Sequence, residues 1–199
     1  MSIRDRILLL ITGLLAAYQI VVGIDHMGTG PICAYTVAFG VLLLAGLLLI
    51  ILGFEVLDSP IVVIAATLIP LSLSTGLIWQ YLPNWRNYYL IFAGAGMVGI
   101  ILTRSLPMPG RLPVLFLALV HGVAGLLITF LPLHLVLREV TPAGFALVGL
   151  GGALIGLGGL LLAFLKAGQP ILSKQNILKI LPGLLLLMTA AFVGGFSFG

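Results

Sequence analysis

Residues 31–54 read "PICAYTVAFGVLLLAGLLLIILGF", an uninterrupted run of 24 residues without a single charged side chain. As an α-helix such a run rises about 36 Å, more than the ~30 Å hydrocarbon core of a bilayer. Lipid offers no partner to backbone N–H and C=O groups, so a spanning segment must pair them internally. At this length the segment that does so is a helix.

Working outward, the same reading recurs six times. Apolar segments fall at 7–24, 31–54, 60–80, 87–105, 113–137, 142–165 and 176–197, separated by short polar punctuation. Hydrophobic residues make up 61% of the 199 and charged ones only 7%, with a mean hydropathy of +1.32. A soluble domain carries about 25% charged residues to solvate its surface. The expected fold is therefore all-α: a polytopic integral membrane protein of seven transmembrane helices, one domain over 1–199 with no room for a soluble domain.

Nine basic residues record orientation. With the N-terminus inside, the inner loops and helix ends hold Arg4, Arg6, Arg104, Arg111, Lys166, Lys174 and Lys179. The outer ones hold only Arg86 and Arg138. Seven against two follows the positive-inside rule, puts the C-terminus outside, and fits a prokaryotic-type cytoplasmic membrane. Because these residues are scattered singly, the net charge of +4 implies no nucleic-acid partner. Arg4 and Arg6 precede an apolar core, as in a signal peptide. No small-x-small cleavage site follows, so the first segment is read as an anchored helix. In "WQYLPNWRNYYL" (79–90) the aromatic residues mark the outer headgroup level.

Set against itself at an offset of 112, the chain gives a coherent register. Gly13-Leu14-Leu15 falls on Gly125-Leu126-Leu127, Tyr18 on Phe130, Gly40 on Gly152, Gly46 on Gly158 and Pro70 on Pro182. Between 29–54 and 141–166 there are seven identities in 26 positions. The expected organisation is a parallel 3+1+3 repeat: 7–80, a connecting helix at 87–105, and 113–197. Its layout resembles that of the SWEET sugar carriers in arrangement only; none of their signature residues is present.

Polar residues inside the spans are few, and each has a bland reading beside the functional one. Helix six, "GFALVGLGGALIGLGGLLLAF" (144–164), carries Gly144, Gly149, Gly152, Gly156 and Gly159. Such spacing lets helix backbones approach closely. His121, well inside the hydrocarbon, is a functional candidate by default or a neutral histidine bonded within the bundle. Ser72, Ser74 and Thr75 follow Pro70, whose ring leaves a backbone carbonyl free. With Tyr18 and Gln19 they are candidates for a solute path, or ordinary interhelical packing.

At the outer face, "GIDHMGTGP" (23–31) places Asp25 and His26 near His134 and Glu139. The Asp-His pair resembles the one found early in nickel and cobalt permeases. Those motifs need further histidines, and Val21 and Val22 stand here instead, so no metal is assigned. The single Cys33 excludes a multi-cysteine cluster. His121 and His134 are ~20 Å apart along one helix and cannot ligate one haem, so no cofactor is expected. An enzyme lacks parts: Cys33 has no adjacent base and Ser74 no Gly-x-Ser-x-Gly context.

The leading expectation is a small carrier or channel for a neutral or weakly polar solute. The alternative is an accessory or scaffold subunit of a larger membrane complex. Expected partners are membrane lipids, with a homo-oligomer or larger complex as the assembly. A hydrated cavity between the halves would favour the carrier, and exposed small-residue faces on helices four or six the subunit.

Overall fold

A computed structural model describes residues 1–23, 27–106, 110, 112–166 and 171–198, except for the side chains of residues 163 and 166. Seven helices run in the expected order: α1 (Ile3–Val22), α2 (Thr29–Leu52), α3 (Pro60–Tyr81), α4 (Arg86–Ser105), α5 (Leu112–Leu137), α6 (Ala146–Lys166) and α7 (Lys174–Phe196). Each is long and apolar enough to cross a bilayer, and no strand occurs among the described residues.

Local chemistry sets the ends. α1 starts at Ile3 because Ser2 and Asp5 form a reciprocal capping box: Ser2 N donates to Asp5 Oδ2 at 2.8 Å and Asp5 N to Ser2 Oγ at 3.2 Å. α1 and α2 stop at Gly23 and Gly53, whose φ of 68° and 75° suits glycine. Each cap N–H still donates to a carbonyl four residues back, at 3.0 Å. α5 ends in a Schellman closure, with Val140 N donating to Leu135 O at 2.9 Å and Glu139 N to Val136 O at 3.0 Å. Glu139 occupies the left-handed position of that closure, at φ 58°. α6 begins later than the apolar run because a 3-10 turn, Ala143–Phe145, follows Pro142.

Packing orders the helices as a closed cycle of neighbours: α1 on α2, α2 on α3, α3 on α5, α5 on α6, α6 on α7 and α7 on α1. α4 stands outside, against α3 and α5. The interior of the cycle is filled by large side chains from both halves, among them Phe39, Leu73, Leu77, Ile128, Phe145, Met188, Phe192 and Phe196. A smaller cluster of Leu71, Ile100, Val120 and Ala124 holds α4 to α3 and α5.

The glycines of α6 divide by direction. Gly149 and Gly152 lie against the backbone of α5, and Gly151 and Gly158 against Phe192 and Leu184 of α7. Gly156 and Gly159 face open space. The glycine-rich sequence thus lets one helix sit close to two neighbours. On α4, Gly99 receives the Phe116 ring and Gly96 the Val120 side chain, while Gly94 is open.

Lys174 Nζ lies 3.6 Å from Asp58 Oδ2. This contact joins the start of α7 to the turn after α2, as alternating spans require.

Candidate functional site

Of the solute-path candidates, Gln19, Thr75 and His121 bond to carbonyls of their own helix or its cap. Gln19 is buried, and its Nε2 donates to Gly23 O at 2.9 Å, closing the end of α1. Tyr18, its neighbour in sequence, points the other way and is 56% exposed on the bundle surface. Thr75 Oγ1 donates to Leu71 O at 2.7 Å. The His121 Nδ1–H donates to Leu117 O at 3.1 Å, with the ring partly buried. Ser72 is partly buried on α3.

Ser74 alone among them reaches another helix by hydrogen bond. Its Oγ donates to Pro70 O at 2.6 Å and accepts from the Tyr89 hydroxyl of α4, also at 2.6 Å. Tyr89 belongs to the run read as an interfacial belt, and the structure divides that run. Trp85 and Tyr88 face outward, 62% and 70% exposed and edge-to-face at 6.1 Å. Tyr89 turns into the bundle. Trp79 lies against Gly30, with the Arg86 guanidinium 4.4 Å from its ring centroid. That stacking places the cation over the electron-rich face of the indole; Arg86 Nε itself is buried without a hydrogen-bond partner among the described residues.

The sequence reading missed Tyr35 and Gln80. The buried Tyr35 hydroxyl donates to Gln80 Oε1 at 3.3 Å, and its ring packs 4.6 Å from Phe196 and against Gly76. Beside it, Gln19, Thr36 and Phe39 border a cavity of about 20 Å³, room for about one water molecule. The only local signal was a tyrosine in an otherwise aliphatic span, which spacing alone does not distinguish from packing.

At the outer end, His134 and Glu139 are exposed on the last turn of α5 and just beyond it. Asp25 and His26 lie outside the described residues. Among the described residues no three His, Cys, Asp or Glu side chains gather to hold a metal ion. Cys33 is exposed near the start of α2.

Seven spans with a packed apolar interior define a multi-pass α-helical membrane protein. Compared with protein-family models, with curated proteins and with solved structures, the chain matches none of them.

Proposed function

We propose that this protein is a structural subunit of a larger membrane complex, with α4 as its docking helix. One observation carries the reading. α4 lies outside the cycle of six, its span is the least buried of the seven at 17%, and Gly94 and Ala95 lie on its exposed surface between Ile91 and Val98. Small residues at such a face let a second helix approach to backbone contact. The filled interior supports the same reading, since phenylalanines occupy the space between the halves where a solute path would run.

The test substitutes Gly94→Leu. A Cβ at this position meets nothing within 4 Å, so the variant keeps wild-type thermal stability. In mild detergent the wild type is expected to migrate well above its 20.9 kDa monomer, and the variant as the monomer. A monomeric wild type from native membranes would overturn the proposal.

A carrier is the second reading, favoured by a different observation. Exchanging α1, α2 and α3 for α5, α6 and α7 leaves the neighbours within the cycle of six unchanged, with α4 outside it, and Pro70 and Pro182 are both buried. This supports the duplication, and parallel repeats are a carrier architecture. Solute uptake by vesicles containing the monomer alone would favour it.

For either function the proposed orientation is N-terminus inside and C-terminus outside in a prokaryotic-type cytoplasmic membrane, supported by the seven-to-two basic asymmetry. In a Cys33→Ala background, a cysteine at Asn84 is expected to label from outside intact cells, and one at Glu55 only after permeabilisation. Labelling of Glu55→Cys in intact cells would reverse the assignment.

A further inference from the structure

On the N-terminal side of the bundle an open groove of about 560 Å³ runs between α1, α6 and α7. Its mouth carries Arg4 from α1 with Asn176 and Lys179 from α7. Its depth is apolar, lined by Leu157, Leu184 and Leu187 among others. Eight residues separate Lys179 from Leu187, so the groove descends about 12 Å along α7 from charge to hydrocarbon.

The chemistry of this surface is divided in a specific way. No carboxylate lines the groove among the described residues. Asp5, next to Arg4 in the chain, accepts from Ser2 N in the α1 cap, and Asp58 pairs with Lys174. Arg4 and Lys179, both exposed, therefore present two positive charges from two helices above an apolar slot. Gly183 keeps the slot open, since a Cβ there would meet nothing within 4 Å.

We propose that this groove is a binding site for one anionic glycerophospholipid of the leaflet on the N-terminal side. The phosphate sits between Arg4 and Lys179, with the Asn176 amide as a further donor. One acyl chain lies along the groove past Gly183. Basic pockets between transmembrane helices select acidic headgroups by this charge complementarity. The apolar floor distinguishes a lipid from a free anion, which would use only the mouth. The site stands apart from the α4 face and does not depend on the proposed function.

The test uses the full chain in neutral detergent, with native mass spectrometry reading bound lipid. Phosphatidylglycerol is expected to bind one per protein at least about tenfold more tightly than phosphatidylcholine of the same chains. Arg4→Gln with Lys179→Gln is expected to bring the two lipids within about twofold, while Arg6→Gln keeps the preference. Gly183→Leu retains both charges, and it is expected to lose phosphatidylglycerol by filling the slot. Glycerol phosphate in excess is expected not to displace the lipid. Equal binding of the two lipids to the wild type would overturn the proposal, as would a preference that survives the double substitution. Full binding by Gly183→Leu, or displacement by glycerol phosphate, would reduce the groove to an anion site and overturn the lipid assignment.

Discussion

Alanine at position 152 is expected to destabilise the protein by about 3 kcal/mol, while alanine at position 156, one turn along the same helix, changes stability by less than about 1 kcal/mol. A Cβ on Gly152 would stand 2.8 Å from Ile128 C and Thr129 N, and one on Gly149 2.7 Å from Thr129 O. These are backbone atoms of α5, which no rotamer change can move. The helices would have to separate, and contacts along the whole crossing would weaken together. At Gly156 they have already diverged and the new methyl meets nothing. The two variants differ in neither hydrophobicity nor helix propensity, so the contrast isolates the crossing point. Reversible unfolding in mixed micelles measures it. Equal stabilities for Gly152→Ala and Gly156→Ala would show that α5 and α6 do not cross there.

The second large effect is expected at Ser74. Replacing it with alanine leaves the buried Tyr89 hydroxyl without its acceptor, and an unsatisfied buried donor costs about 1–3 kcal/mol. Interhelical hydrogen bonds in membranes average nearer 0.6 kcal/mol, because the separated helices find other partners. The expected loss is therefore about 1–2 kcal/mol. Tyr89→Phe should cost less, since Ser74 keeps its bond to Pro70 O. The double variant should be little worse than Ser74→Ala, the mark of a shared interaction. Thr75→Val serves as the contrast: its hydroxyl donates within α3, so no group on another helix is stranded. Strict additivity of Ser74→Ala and Tyr89→Phe would remove this bond from what joins α3 to α4.

The seven spans were legible because each is a long apolar run, and the membrane leaves such a run only one way to pair its backbone. Their ends were less so. The first turn of α1 contains Arg4, Asp5 and Arg6, and that of α7 Lys174, Gln175 and Asn176. Hydropathy places all of these but Asn176 outside a span, yet capping by Ser2 and Ser173 makes them helical. The helical phase was harder still. α2 is apolar on every side, so no stripe indicates that Tyr35 faces the interior and Cys33 does not. For the same reason the Tyr89–Ser74 bond had no signature. Two adjacent tyrosines, Tyr88 and Tyr89, read identically as interfacial rings, and only the angle at which α4 meets α3 sends one outward and the other in. The polar residues of the spans could be found individually, but not the partners they take.

The contact between α1 and α7 also bears on how the molecule is made. Of these seven spans α1 is made before the other six and α7 after them, yet the two are neighbours in the finished cycle, so the seam stays open until α7 has been made. During that interval Val148 of α6, which packs at Gly195 of α7, faces acyl chains instead of the protein. In water such exposure would invite aggregation. In a bilayer it carries little penalty, because lipid tails are as apolar as the side chains that will replace them. The chain can therefore wait, inserted and half assembled, for its seventh helix to arrive.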